Sequence, residues 1–429
     1  SRVGLPLYPF QRQRYWVDTV ERGTSAPVMP SRYQTIWTSL GPAATNLESC
    51  RARQWAIVPG DPELAAGLRD LLAEHGAAPA APPTDIVFIG GASSADDAGE
   101  GCAALLALIQ ELVGTPGAAP RIWVVTRGAI PATTKMTLVG ASQAPLAAMA
   151  RVLGLEHPEL FGRLIDLDST SRTTDAAVLL GEILHEDAED QIALRDDQRY
   201  APRLDRVTEP WPEAEPLRGD ATYLITGGLG RIGLQVARDL AVRGAKHLCL
   251  LGRSGVTTSD QQAGVATIEA HGATVRVVAA DVADQAAMTA VIGDLAGGPP
   301  LAGVVHAAGL PGYTDLAHLD PTELASVLRP KIQGGWILHE LVRELPLDFF
   351  VCFSSIASAW GSRGQAHYAA ANGFLDALAH LRRAAGLRSV TINWGPWVEG
   401  GMTSPEAATL LSRVGIRPLP THQATAAFA

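Results

Sequence analysis

Short apolar runs of strand length alternate along this chain with longer stretches in which apolar positions recur every three or four residues. Between residues 31 and about 210 the runs are Trp55-Ala56-Ile57-Val58, Asp85-Ile86-Val87-Phe88-Ile89, Ile122-Trp123-Val124-Val125 and Leu164-Ile165-Asp166-Leu167. Helical patterns over Pro62–His75, Gly101–Val113 and Pro145–Leu155 separate them. Strand and helix in alternation predict a parallel sheet covered on both faces. The pattern begins again at Ala221, with strands expected over 222–226, 247–251, 274–279, 303–306, 349–353 and 390–393 and helices between them.

Between the two series, Pro210-Trp211-Pro212-Glu213-Ala214-Glu215-Pro216 sets three prolines among acidic residues and marks a boundary. The predicted fold class is therefore α/β, with two Rossmann-like subdomains: a structural one at 31–210 and a doubly wound, cofactor-binding one at 211–429. Residues 1–30 are different. Tyr8-Pro9-Phe10-Gln11-Arg12-Gln13-Arg14-Tyr15-Trp16 holds four aromatics in nine residues, while Pro6 and Pro9 forbid a regular helix. Such a segment suits a linker packed on a neighbouring domain. Thr421 to Ala429 reads as a helix starting after Pro420 and stopping without a cap, and Ser1 begins no leader, so the sequence is expected to be a piece of a longer chain.

Composition narrows the function. With 47% hydrophobic and 18% charged residues in 429, the chain is a compact globular protein. A net charge of -10 argues against a nucleic-acid surface, which needs clustered Lys and Arg. Cys50, Cys102, Cys249 and Cys352 are far apart, without metal-ligand spacing, and two of them sit in apolar runs; this points to buried thiols, no metal, and a reducing cytoplasmic compartment. The apolar helix Gly101–Val113 is too short for a bilayer and carries Gln110 and Glu111, so no membrane segment is expected.

Candidate chemistry starts at the second series. Tyr223-Leu224-Ile225-Thr226 runs into Gly227-Gly228-Leu229-Gly230-Arg231-Ile232-Gly233 and then a helical pattern from Leu234 to Arg243. Strand, glycine turn and helix in this order make a dinucleotide site. Gly228 is expected to permit the tight turn, Gly230 the approach of a pyrophosphate, and Gly233 the packing of helix on strand. The next strand ends in Leu251-Gly252-Arg253-Ser254, where an NAD site would place Asp or Glu. Arginine suits a 2'-phosphate, which indicates NADPH. Asp281-Val282 follows the third strand, placed to reach the adenine; His306-Ala307-Ala308-Gly309 follows the fourth, placed to line the nicotinamide side. By contrast, the first turn of the first unit, Val58-Pro59-Gly60-Asp61-Pro62, lacks the glycine pattern, and its prolines remove donors a phosphate would use.

Downstream lie Ser354-Ser355 and Tyr368-Ala369-Ala370-Ala371-Asn372, with Lys331 placed 24 residues before Ser355. Ketone reduction needs an acid for the oxygen, a donor to hold it, and a cation to strengthen the acid. Tyr368, Ser355 and Lys331 can supply these, with Ser354 as rival for the donor. Tyr368 and Asn372 share a helix face. A phenol has a pKa near 10, and a neighbouring ammonium is expected to lower it toward the working range.

The order of the glycine motif, His-Ala-Ala-Gly, Lys331, Ser355, Tyr368 and Asn372 resembles the ketoreductase domains of modular type I polyketide synthases, within the short-chain dehydrogenase/reductase superfamily. Most of that superfamily has lysine four residues after the tyrosine and asparagine upstream; the exchange of the two is specific to synthase ketoreductases. The resemblance implies that Tyr368 is the general acid, Ser355 the carbonyl-oxygen donor, Lys331 the phenol and ribose anchor, and Asn372 the orienting member. A donor of this kind is worth about 2.7 to 4 kcal/mol in the barrier. It also implies that residues 31–210 are a truncated structural Rossmann unit, and that residues 1–30 are a linker following an acyltransferase domain.

The further implications concern the substrate. The family's substrate is a β-ketoacyl thioester on the phosphopantetheine of an acyl carrier protein, with acyltransferase and ketosynthase domains as neighbours. Leu310-Pro311-Gly312-Tyr313 stands where D-hydroxy producers have Leu-Asp-Asp, and Trp360 stands eight residues before Tyr368, as in L-hydroxy producers. Gln365 replaces the histidine associated with an epimerised α-substituent, so the resemblance is to the A1 type. Trp394-Gly395-Pro396-Trp397 to Thr403-Ser404-Pro405 is expected to begin a lid, moving on Gly400 and Gly401, with Met402 among the substrate-side residues. The rival reading is a reductively silent domain kept for architecture.

Overall fold

The computed structural model describes residues 32–428 apart from 44–46, 78–81, 116, 118, 134–135, 210–215 and 399–415. The 1–30 linker, Gly400, Gly401 and Met402 lie outside the described residues.

The first unit comprises β1 (Arg32–Leu40), β2 (Trp55–Val58), α1 (Pro62–Glu74), β3 (Asp85–Ile89), α2 (Glu100–Val113), β4 (Arg121–Arg127), α3 (Leu138–Glu156), β5 (Phe161–Leu167), α4 (Asp175–Leu184), β6 (Gln191–Arg195) and β7 (Gln198–Val207). Its sheet runs β1-β7-β6-β5-β4-β3-β2. Strands β2 to β6 are parallel, with α1 and α4 on one face and α2 and α3 on the other, as the apolar runs predict. The other two ladders, β6 with β7 and β7 with β1, are antiparallel. The all-parallel expectation fails there because Asp196 and Asp197, with φ of 47° and 62°, close a two-residue hairpin. At the strand ends of this unit Arg127 bonds Asp175 at 2.7 Å and Asp61 at 3.4 Å. A side chain at Gly60 would strike Ile89 O.

Helix α3 starts seven residues before the expected Pro145. Thr137 caps it, its Oγ1 accepting from Gly140 N at 3.2 Å, and Pro145 is absorbed in the helix at the loss of one backbone bond. At 19 residues α3 is long and apolar enough to cross a membrane, yet it is mostly buried as the central helix of the molecule.

The second unit comprises β8 (Thr222–Thr226), α5 (Arg231–Val242), β9 (His247–Gly252), α6 (Ser259–Ala270), β10 (Thr274–Ala279), α7 (Gln285–Leu295), β11 (Leu301–His306), α8 (Pro321–Val342), β12 (Phe349–Ser355), α9 (Ile356–Trp360), α10 (Ala366–Ala384) and β13 (Val390–Trp394), with a last helix at Thr421–Phe428. All six strands match expectation within two residues at each end and form a parallel sheet ordered β10-β9-β8-β11-β12-β13. The order reverses between β8 and β11, where an α/β sheet opens a crevice beyond its strand ends.

The two sheets are joined by α3 lying along α10. Leu146 and Met149 of α3 share one buried cluster with Phe374 and Leu378 of α10. The close approach depends on Gly373, where a methyl would lie 2.7 Å from Ala148 Cβ and 3.0 Å from Ala144 O.

Candidate active site

The glycine turn sits between β8 and α5. Gly227 takes φ of 68°, and a side chain on it would meet the Ala307 and Ala308 backbone at 2.9 Å. The left-handed residue is thus Gly227, which corrects the assignment of the turn to Gly228. Gly228 is needed for space instead, with Ile225 O 2.7 Å from where its Cβ would be. Gly233 packs on the backbone of Gly227 and Gly228, so the close contact it allows is of helix on turn, where helix on strand was expected. Gly230 is the N-cap of α5 and offers no side-chain acceptor to the first-turn amides. Those amides are donors at the positive end of a helix dipole, a fit for a pyrophosphate. Leu229 is buried under the turn, and Gly252 leaves it room.

One cleft, of about 1140 Å³ of empty space open to solvent, begins at this turn. Gly227, Gly230, Ile232, Gly233 and Ala307 of and beside the turn line it together with Lys331, Ser355 and Tyr368. Trp360 and Gln365 line it as well, with Pro311 and Tyr313. Trp360, at 42% exposure, closes α9 on the cleft wall and is not a core residue.

Ser355 ends β12 and caps α9, its Oγ accepting from Ala357 N at 3.2 Å. The hydroxyl hydrogen is left to donate into the cleft. Ser354, the rival, is buried, its Oγ within reach of Ser358 Oγ, Asn372 O and Asn393 Nδ2. The two serines differ because alternate strand residues face opposite ways.

Tyr368 lies in the first turn of α10, and Asn372 Nδ2 one turn later donates to Tyr368 O at 2.7 Å. Asn372 Oδ1 is buried with no hydrogen-bond partner among the described residues. Burial pushes the Tyr368 phenol above its usual pKa, while the side chains of Asn372 and Ser355 pull it back. Lys331 lines the same cleft as Tyr368, and its ammonium donates to Phe353 O at 2.9 Å, the carbonyl that β12 presents beside it. Burial brings the Lys331 pKa down to about 8. Gly309 makes its place, since a methyl there would sit 2.8 Å from Lys331 Cε.

Other expected residues fall elsewhere. His306 is fully buried off the cleft wall; its Nδ1 pairs with Thr226 Oγ1 at 2.7 Å across the β8–β11 ladder. Burial and then the Lys331 charge bring its pKa down to about 3, so it is a neutral core group and not a lining residue. Ala308 lies beneath Gly227, and Val282 is buried against Gly334. Arg253 and Ser254 are exposed past β9. Asp281 does not stand free: Arg329 holds it at 2.5 Å and Ala283 N donates to it at 2.9 Å, with Arg253 also acting on its charge.

Sequence reasoning missed Arg329 and Asp376. Arg329 adds a second guanidinium near Arg253, and its place two residues before Lys331 on α8 was the available signal. Asp376 accepts from Ser358 at 2.5 Å, Asn393 at 2.9 Å and Thr391 at 2.8 Å, a buried support behind Ser354. Burial pushes its carboxyl up. Its signal was one more turn of the Tyr368–Asn372 face.

Residues 221–399 match the family model described as the KR domain, and residues 35–204 match the Rossmann fold domain of the polyketide synthase extender module SpnB. A solved ketoreductase from the first module of phoslactomycin biosynthesis in Streptomyces sp. HK803 is 34% identical, covering 92% of this chain and 89% of its own, with a TM-score of 0.78. The chain belongs to the ketoreductases of modular polyketide synthases. A solved A1-type ketoreductase is 33% identical over 92% of this chain and 89% of its own, with a TM-score of 0.79. The pikromycin polyketide synthase component PikAIII of Streptomyces venezuelae is 34% identical over 98% of this chain, and the polyketide synthase GfsB of Streptomyces halstedii 40% over 77%. The ketoreductase chain spans only 27% and 6% of those two proteins. Membership makes it a Rossmann-fold oxidoreductase of the nicotinamide-dependent kind, and the glycine turn has the shape for such a cofactor.

Proposed function

We propose that this ketoreductase uses NADPH to reduce a β-ketoacyl thioester, carried on the phosphopantetheine of an acyl carrier protein, to the L-β-hydroxyacyl thioester. The observation that carries the reading is that Ser355, Tyr368 and Lys331 line one cleft with the glycine turn. The α5 amides and the Arg253 side would hold the cofactor, which when bound would supply a hydride for the carbonyl carbon.

The chain's own groups handle the oxygen. Ser355, its acceptor side engaged by Ala357 N, donates its hydrogen to the substrate carbonyl oxygen. Tyr368 gives that oxygen a proton. The Asn372 and Ser355 side chains favour the phenolate left behind. Asn372, with its unpartnered Oδ1, orients Tyr368 and the water or hydroxyl that restores its proton. Lys331, steadied by Phe353 O and given room by Gly309, keeps a cation under the cleft floor.

Exposed Trp360 on the cleft wall, Gln365 before Tyr368, and Leu310-Pro311-Gly312-Tyr313 in place of Leu-Asp-Asp support the L-hydroxy, A1-type outcome. Acyltransferase and ketosynthase domains of the same polypeptide are the expected neighbours, in a cytoplasm that keeps the four buried cysteines as free thiols. Tyr368→Phe tests the reading: NADPH binding should persist, and reduction of a β-ketoacyl thioester should fall at least a thousandfold. Full activity in that variant would sink it. The silent-domain reading has against it the intact set of Tyr368, Ser355, Lys331 and Asn372.

A further inference from the structure

Two loops of the catalytic unit form the rims of the cleft beside Tyr368. The first follows β11 and brings Pro311 and Tyr313 to the wall; the second follows α9, brings Ser362 and Gln365, and leads into α10. They touch each other through Thr314 N, which donates to Gly364 O at 2.7 Å. Both are also tied to one side chain from the other unit. Glu156, the last residue of α3, accepts from Leu316 N at 2.7 Å through Oε2 and from Gly364 N at 2.6 Å through Oε1. These are amide donors on a carboxylate, stronger than neutral pairs. Five residues back on α3, Arg151 donates to Ser358 O of α9 at 2.8 Å, so the same helix end braces the second loop from both sides.

We propose that Glu156 is a positioning residue that holds the two rims in register, so that the structural unit helps set how the ketone face is presented to Tyr368. The inference rests on the reductase reading above for its effect on product, but the clamp itself does not. A glutamine at 156 keeps the shape and loses one acceptor, because its amide nitrogen would face a rim N–H with another donor. One rim is then released while the other stays held.

The test uses the whole chain with Glu156→Gln and Glu156→Ala, and Glu156→Asp, which keeps the charge with a shorter reach, should the alanine variant not fold. Hydrogen exchange should quicken at least tenfold in peptides spanning 310–317 and 361–366 for Glu156→Ala, and in one of the two for Glu156→Gln, with peptides of β2 to β5 unchanged. With a 2-methyl-3-ketoacyl thioester, the ratio of major to minor hydroxy epimer should fall at least fivefold and KM rise at least threefold. The dissociation constant for NADPH should stay within twofold. A merely structural role would lower thermal stability without moving the epimer ratio. Unchanged exchange in both loops overturns the clamp; changed exchange with an unchanged epimer ratio and KM overturns its role in presentation. If the unaltered chain reduces no ketone while the exchange effect is seen, the clamp stands and the reductase reading falls.

Discussion

Gly309 and Lys331 occupy adjoining volumes, so that a methyl on Gly309 would come within 2.8 Å of Lys331 Cε and 3.3 Å of Nζ. The obstructed atoms are the tip of a flexible side chain, which can swing aside at little cost to the fold. Gly309→Ala should therefore separate stability from catalysis. We expect unfolding free energy to change by less than about 1 kcal/mol and kcat to fall at least tenfold, because a small misplacement near reacting groups is costly. Urea denaturation beside steady-state kinetics checks both.

The Lys331 pKa, brought down to about 8 by burial, gives a pH dependence with a definite sign. The ammonium is present below about pH 8 and lost above it. If catalysis needs the cation, kcat/KM, which reports the free enzyme, should decline as pH rises through 8. Lys331→Met should lower the rate and remove that limb; a profile in Lys331→Met with the same alkaline limb would assign it to another group.

Arg253 stands exposed past β9, with Arg329 close by through Asp281. Arg253→Ala should raise KM for NADPH at least tenfold and leave KM for NADH within twofold. Equal effects on the two cofactors would remove Arg253 from the 2'-phosphate.

Asp376 takes three donors, from Ser358, Asn393 and Thr391. Removing the carboxylate takes one acceptor from each, but Ser358 Oγ keeps Ser355 O at 2.8 Å and Asn393 Nδ2 keeps Ser358 Oγ at 2.9 Å. The cost is then that of about one unmet donor, about 1 to 3 kcal/mol. Asp376→Ala should lose about 2 kcal/mol in urea unfolding, and kcat should fall because Asn393 and Ser358, which both bond Ser355 O, lose one of their anchors. Asp376→Asn, which can still accept, should lose less.

The buried strands were legible because unbroken apolar runs such as Ile122-Trp123-Val124-Val125 have few other uses. Strands β1 and β7 were not, since Arg32–Leu40 and Gln198–Val207 mix polar with apolar residues, are largely exposed, and join the sheet edge by pairing with each other. The start of α3 was misplaced because proline reads as a beginning, whereas Thr137 does the capping. Within the site, Lys331, Ser355 and Tyr368 stood out by residue type and spacing. His306 did not reveal its direction, because one residue along a strand turns a side chain from cleft to core. Glu156 gave no signal at all: its partners are backbone amides 160 and 208 residues away, and a backbone amide has no letter in a sequence.

Gly373 against Ala148 carries a practical consequence for anyone who recombines synthases. The face of α10 that bears Tyr368 and Asn372 has its reverse side completed by a helix encoded more than two hundred residues earlier. A graft cut between the two sheets would carry a catalytic half whose back wall belongs to a stranger. The unit of inheritance, and of exchange, is the pair.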